Sequence, residues 1–323
     1  MDGQGKAFRM GMALILMALL LRLGSAGFFR PLGQLFSGEG LQRLLFFLET
    51  GRSLPQTQEV EVFFGESPPP MAESLPTFTP EDLELVSLKN TSGLTPDTEA
   101  LLTEDLSWEL AGDEPTVLIL HTHTTESYTK TGERYTETSA YRTLDEGYNM
   151  LAVGDLVARR LTQAGITVLH DRTINDYPSY NGSYTRARAT ISQYLAKYPS
   201  IRLVLDLHRD AAGDDHNQMR TEATVEGKSC AQLMLVMGTD ASGQAHPRWE
   251  ENLALGLKLQ VQLERLAPGI TRPTQLRPTR FNQDLCPGAL LIEVGAAGNT
   301  HPEALLAADI LAEAIIDLAK GSK

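Results

Sequence analysis

From about residue 116 to the end of the chain, short apolar runs alternate with longer stretches whose apolar residues recur at helical spacing. The run VLIL (117–120) is continuous rather than alternating and stops at a polar cluster, so it predicts a strand buried on both faces. Residues 147–164 place Val153, Leu156, Val157 and Leu161 on one helical face, and Gly165 supplies a stop. ITVLH (166–170) predicts a second strand. SYTRARATISQYLAK (183–197) predicts a helix with Ser183 as its cap and Pro199 just past its end. Strands follow at 202–208, 231–238 and 289–295, with helices at 247–266, starting at Pro247, and 302–319, starting at Pro302. This alternation predicts an α/β fold, a mostly parallel sheet flanked by helices on both faces.

The N-terminal third follows a different pattern. Lys6 and Arg9 precede MGMALILMALLL (10–21), and Arg22 follows. A basic flank before an apolar segment is a targeting signal, with two readings. One is a cleaved signal peptide, with Gly24, Ser25 and Ala26 before the cut. The other is a retained anchor from about Met10 to Phe29, about 20 residues, enough to cross a bilayer. The anchor is the preferred reading, and either one exports the rest of the chain. Residues 38–50 predict a short amphipathic helix. From 51 to 114 the chain is rich in Pro, Ser, Thr and Glu, which predicts an extended linker interrupted by a short strand at Val60–Phe64. The expected organisation is an anchor (1–30), a short helix with linker (31–114) and a catalytic domain (115–323).

The formal net charge of −13 argues against non-specific nucleic-acid binding, which needs many phosphate-neutralising cations. Only two cysteines are present, Cys230 and Cys286, so a zinc site of paired CxxC motifs is excluded. They could form one disulfide or stay free, and any metal must be held by histidines and carboxylates.

The candidate chemistry sits at strand ends, where open α/β sheets bind ligands. The first strand ends in His121-Thr-His123-Thr-Thr-Glu126, the third in Asp206-Leu-His208-Arg209-Asp210, and the fifth in Glu293-Val-Gly-Ala-Ala-Gly-Asn299. A catalytic zinc takes three protein ligands from His, Glu or Asp, and a separate carboxylate must carry a proton from water to the leaving group. These three clusters offer all four groups. A carboxylate closing an apolar strand, as Glu293 does, is costly unless paired or metal-bound. His121 and His123 taken alone could be exposed turn residues, and His208 a hydrogen-bonded core histidine. His170 beside Asp171 and Arg172 predicts a solvated or ion-paired tip, and His216, His246 and His301 predict structural or solvent-facing roles. A GxSxG elbow and a Gly-rich phosphate loop are absent from the sequence, which argues against serine hydrolases and kinases.

The segments LILHTHTTESY, LVLDLHRDA and LIEVGAAGNT, in this order and spacing, resemble the stage II sporulation protein P family, related to the zinc N-acetylmuramoyl-L-alanine amidases. The resemblance covers roughly residues 115–320 and implies an amidase-like α/β domain with one zinc ion. The implied activity is cleavage of the amide between the lactyl group of N-acetylmuramic acid and L-alanine in peptidoglycan, together with cutting of cross-linking peptides. It implies action at the membrane during engulfment, on the mother-cell side, with stage II sporulation proteins D and M as partners. By resemblance, His123 and His208 are zinc ligands, with His121 the rival for the first. Glu126 is the carboxylate ligand, with Asp145 and Glu146 its rivals. Glu293 is the catalytic glutamate, and Arg209 either holds substrate or the oxyanion, or pairs with Asp206 or Asp210. The polar, aromatic stretch Tyr128–Tyr148 is expected to face substrate over the site. The alternatives are a cell-wall-binding module without activity, or another zinc hydrolase such as a deacetylase or carboxypeptidase.

Overall fold

The computed structural model describes residues 61–63 and 76–319, except 107, 109, 215 and 216. In chain order the elements are β1 (Glu61–Phe63), a 3-10 helix (Pro80–Leu85), β2 (Leu88–Asn90), α1 (Thr98–Thr103), β3 (Gly112–Leu120), β4 (Glu137–Ser139), β5 (Arg142–Thr143) and α2 (Met150–Gln163). Then come β6 (Ile166–His170), α3 (Ser183–Lys197), β7 (Leu203–Asp210), β8 (Gly213–Asp214), β9 (Asn217–Gln218), β10 (Glu222–Val225) and β11 (Lys228–Ala231). The chain closes with β12 (Leu233–Gly238), α4 (Trp249–Leu266), β13 (Thr274–Arg277), a 3-10 turn (Gln283–Leu285), β14 (Ala289–Ala296) and α5 (His301–Ala319).

One large sheet runs in the order β1-β6-β3-β7-β14-β12-β13-β2. Its centre, β6-β3-β7-β14, is parallel, as the strand–helix alternation predicts. The apolar run at β12 reads like its neighbours in sequence, yet it pairs antiparallel with β14, and β13 and β2 follow β12 in parallel. The reversal follows from the β10–β11 hairpin, which returns the chain to the sheet edge without a crossover helix.

Strand alternation sorts the core into two layers. Val117, Ile119, Val168, Leu203, Leu205, Leu207, Ile292 and Val294 face a layer built by α2, α4 and α5. In α5 the buried positions Ala304, Ala307, Ala308, Leu311, Ala312, Ile315 and Leu318 make a stripe wide enough to seat the helix on the sheet and its neighbours. Each fully buried Leu or Ile there contributes about 1.5–3 kcal/mol. The opposite face, with Leu118, Leu120, Leu169 and Val204, is covered by Ala187, Ile191 and Tyr194 of α3. The expected cap Ser183 is instead the first helical residue; Gly182, left-handed at φ 83°, is the N-cap, and no side chain caps this end. Cys230 and Cys286 are both free and buried.

The expected linker is corrected at its C-terminal end. Residues 76–114 belong to the domain: β2 completes the sheet edge beside β13, α1 packs on α4, and Leu102 is fully buried. Phe78, Leu83, Val86, Leu88, Leu106 and Trp108 pack against the core, and the Trp108 indole donates to Leu318 O at 3.1 Å. A few well-spaced apolar side chains suffice to dock a segment whose composition is otherwise polar. The expected strand near Val60–Phe64 is present as β1, antiparallel to β6. The expected anchor (10–29) and amphipathic helix (38–50) lie outside the described residues. Among the described residues, no helix is long and apolar enough to cross a membrane.

Candidate active site

The same alternation that buries Leu203, Leu205 and Leu207 on one face turns Val204, Asp206 and His208 to the other, and on β14 it turns Leu291 and Glu293 the same way. His208 and Glu293 are direct partners on the parallel strands β7 and β14. The turn after β3 carries His123 above them. Its imidazole meets that of His208 edge to face, with ring centres 5.2 Å apart. Glu126 closes the group, with Oε2 3.7 Å from His208 Nδ1. The three clusters on β3, β7 and β14 therefore meet at one place, and all four side chains are buried or nearly so.

Electrostatics follow from packing three carboxyl groups around one imidazole. Burial opposes a charge on His208, but Asp206, with Oδ1 2.9 Å from Nε2, together with Glu126 and Glu293, raises it to about 10. Burial pushes Glu293 up to about 8, and its Oε2 has no hydrogen-bond partner. Burial also raises Glu126, but Arg209, His208, His123 and Arg142 outweigh it and hold the carboxylate below its usual range. His123 is lowered by burial to about 4. The pocket thus holds one strongly basic imidazole, one weakly basic one, and a carboxyl group poised near neutrality.

His121, the rival of His123, points to the other side of β3. Its Nδ1 donates to Leu207 O at 3.0 Å, and Nε2 sits 2.9 Å from His170 Nε2. His170 in turn lies 2.9 Å from Asp155 Oδ1. His170 is therefore buried and paired with Asp155, the paired alternative rather than the solvated one. Asp145 and Glu146 are exposed; Glu146 pairs with Arg172 at 2.7 Å, and Asp145 caps Gly147 N. Only Glu126, of the three carboxylates weighed for the ligand role, stands beside the histidines. Arg209 pairs with neither Asp206 nor Asp210. It is buried, donating from Nε to Ser127 O and from Nη2 to Tyr141 O, while its backbone N–H donates to Glu126 Oε2 at 3.2 Å. Asp210 pairs with Arg272 instead. His246 is buried, and His301 packs against Tyr128 and Tyr148. His216 lies outside the described residues.

The chain matches the family described as Stage II sporulation protein P (SpoIIP) over residues 64–316. It belongs to the stage II sporulation protein P family. A stage II sporulation protein P of Bacillus subtilis (strain 168) is 28% identical over 227 residues, covering 66% of this chain and 54% of the relative. The chain thus spans about half the length of that curated relative. Among solved structures, an N-acetylmuramoyl-L-alanine amidase from Clostridium difficile 630 is 17% identical, covering 64% of this chain and 94% of that one, at a TM-score of 0.36. One of Nostoc punctiforme is 14% identical, covering 64% and 97%, at 0.36. These last two likenesses are too distant to argue from.

In this member of the family, several site residues escape the strand-end motifs. Arg142, on β5, donates to Glu126 Oε1 at 3.1 Å and pairs with Asp176, which also accepts from Thr125 N and Oγ1. This clamp fixes Glu126 against the β4–β5 hairpin, so part of the Tyr128–Tyr148 stretch is structural: Tyr128 itself is buried and donates to Val294 O. Tyr180 stacks on His123 at 4.5 Å, with its hydroxyl 3.2 Å from Nε2, and Tyr184 packs edge-on to the same ring at 5.6 Å. The aromatic run DYPSYNGSY (176–184) before α3 was the signal available for these two.

Two imidazoles and an ionised carboxylate are the donor types zinc takes. His123 Nδ1 is buried without a hydrogen-bond partner, and the buried carboxyl groups around His208 favour an added cation. These observations fit a zinc ion. As positioned, no three His, Cys, Asp or Glu side chains among the described residues converge on one point. Gripping an ion therefore means that His208 and His123 trade their present contacts with Asp206 and Tyr180.

Proposed function

We propose that this chain is a zinc-dependent peptidoglycan hydrolase that cleaves the amide between the lactyl group of N-acetylmuramic acid and L-alanine. The observation that carries the reading is the register of β7 and β14. It sets a free carboxyl group, Glu293, directly beside His208, beneath His123 and Glu126. His123, His208 and Glu126 would hold the metal. When bound, zinc supplies a Lewis acid that polarises the scissile carbonyl and makes water acidic near neutral pH. Glu293 accepts a proton from the water attacking the carbonyl carbon and returns one to the amide nitrogen as the C–N bond breaks. Its elevated proton affinity suits both halves of that transfer. Arg142 and Arg209 hold Glu126, and both act by positioning. Tyr180, exposed and stacked on His123, and the exposed part of the β4–β5 hairpin would meet the substrate in this reading. In this reading the domain works outside the cytoplasm, tethered by residues 10–29, in sporulation engulfment with stage II sporulation proteins D and M.

The test is incubation of the purified full chain with isolated peptidoglycan, with and without a chelator, followed by mass spectrometry. Free stem peptides starting at L-alanine, lost on chelation and restored by zinc, support the reading. Released acetate would make it a deacetylase, and full activity in a metal-free preparation would overturn the zinc assignment.

A further inference from the structure

A second cavity, of about 330 Å³, opens beside the site and shares Tyr184 with it; Arg188, Gln244, Thr279, Arg280 and Phe281 also line it. The Tyr184 ring stands between the two, 6.4 Å from the His208 ring on one side and 6.0 Å from the Phe281 ring on the other. Among the described residues, α3 covers this face over β3, β6 and β7, with Leu285 and Cys286 beside it, and over β12 and β14 Phe281 packs on Met234, Val236 and Leu291. Leu291, under Phe281, is two residues before Glu293 on the same face of β14, and Tyr184 links the cavity to the site.

The cavity wall is held rigidly in a costly conformation. Phe281 and Asn282 both have positive φ, 50° and 61°, which is rare for a bulky side chain such as Phe. Buried groups lock the loop from beneath. Asn252 Nδ2 donates to the carbonyls of Gln283, Cys286 and Ala289, Gln283 spans to Gly238 N and Val236 O, and Asn282 Nδ2 donates to Tyr184 O. A Cβ at Gly238 would lie 2.5 Å from Thr279 O, so the loop presses onto bare backbone. Two guanidinium groups meet there. Arg188 grips Asp284 with both terminal nitrogens, at 2.8 and 2.7 Å, while Arg280 reaches the same carboxylate only at 3.3 Å and keeps its other contact with Ala245 O, also at 3.3 Å. One carboxylate is shared by two cations, in a chain whose net charge is −13.

We propose that this cavity is a subsite for a carboxylate on the peptide part of the substrate, with Arg280 as its principal contact and Tyr184 and Phe281 as the walls that lead the peptide to it. The proposal deepens the peptidoglycan-hydrolase reading and rests on it, because the peptide must leave the scissile bond beside Glu293 and pass Tyr184 to reach the cavity. A partly paired Arg at a preformed wall recognises a carboxylate by charge-assisted hydrogen bonds, about 1.5–3 kcal/mol each, or roughly tenfold or more in affinity.

The experiment uses a soluble muramoyl-tripeptide with free carboxylates and the same compound with every peptide carboxylate amidated. Binding to the full chain and to its Arg280→Gln variant is measured by calorimetry, and cleavage in parallel. The expected result is that amidation weakens binding to the unaltered chain about tenfold, and by less than twofold in Arg280→Gln, with the same pattern in KM. Arg280→Lys should recover part of the discrimination. An unchanged ratio in a folded Arg280→Gln chain overturns the subsite while leaving the hydrolase reading intact. Peptide bound with the expected discrimination but never cut leaves the subsite standing and sinks the hydrolase. Failure to bind either compound overturns both.

Discussion

Gly154 sits in the middle of α2, where alanine is ordinarily the better residue by about 1 kcal/mol. Here packing reverses that sign. A methyl group at position 154 would lie 2.4 Å from His170 Nε2 and 2.7 Å from His121 Nε2, inside the hydrogen bond that joins these rings. Neither ring can yield easily. Both are fully buried, His121 is tethered to Leu207 O, and His170 to Asp155. Burial pushes His121 down to about 3, so it is neutral and accepts from His170; separating them strands two buried nitrogens. Overpacking of this kind costs about 1–3 kcal/mol, and unsatisfied buried polar groups about 1–3 kcal/mol more. After the propensity gain, Gly154→Ala should destabilise the domain by about 1–5 kcal/mol, centred near 3 kcal/mol, which is about 6–12 °C in Tm for a domain of this size. Thermal and urea unfolding of the purified chain, followed by circular dichroism, measure it directly. Because His121 anchors Leu207, the neighbour of His208, cleavage should fall as well. A variant as stable as the parent, or more so, would mean that the His121–His170 contact does not govern the packing of α2 on the sheet.

Further outcomes follow from the same geometry. Glu293→Gln keeps the shape but removes the proton carrier, so cleavage should drop by about 10²-fold or more while sedimentation with insoluble peptidoglycan is unchanged; a normal cleavage rate would assign the proton to another group. Zinc at about 100 times its Kd should stabilise the folded chain by about 2.7 kcal/mol and raise Tm, with a chelator reversing the rise; a Tm indifferent to both would remove the metal from His123, His208 and Glu126. Arg220, Thr300 N–H, Ser229 and Asn299 all donate to the Glu303 carboxylate, outweigh its burial and hold it at about 2, below the usual 4.5. A depressed carboxylate stabilises the fold above its unfolded pKa, and that stability is lost as pH falls from about 4.5 through about 2. Glu303→Gln should therefore be weaker than the parent by about 2–3 kcal/mol at pH 6, with the gap closing toward pH 3; a gap independent of pH would mean the loss is one of packing rather than charge.

The line of the chain already carried the strands and helices at the centre of the domain. An uninterrupted apolar run is buried wherever it ends up, and a 3.6-residue stripe seats a helix, so 166–170, 183–197 and 289–295 fall close to where periodicity puts them. The chemistry of the candidate site was legible for the same reason: polar groups at the end of such a run must face either water or one another. Direction and choice of partner were decided in three dimensions. β12 looks parallel because an apolar strand carries no mark of its orientation, and the hairpin before it sets that. His121 and His123 are two residues apart in one motif. The fold gives the first to His170 and Gly154 and the second to His208, since the turn after β3 carries the chain across the sheet edge between them. Glu126 stands apart from Asp145 and Glu146 because Arg142 and, from 83 residues further along the chain, Arg209 close on it. Residues 76–114 join the domain because α4 offers them a surface, a fact their own polar composition does not contain.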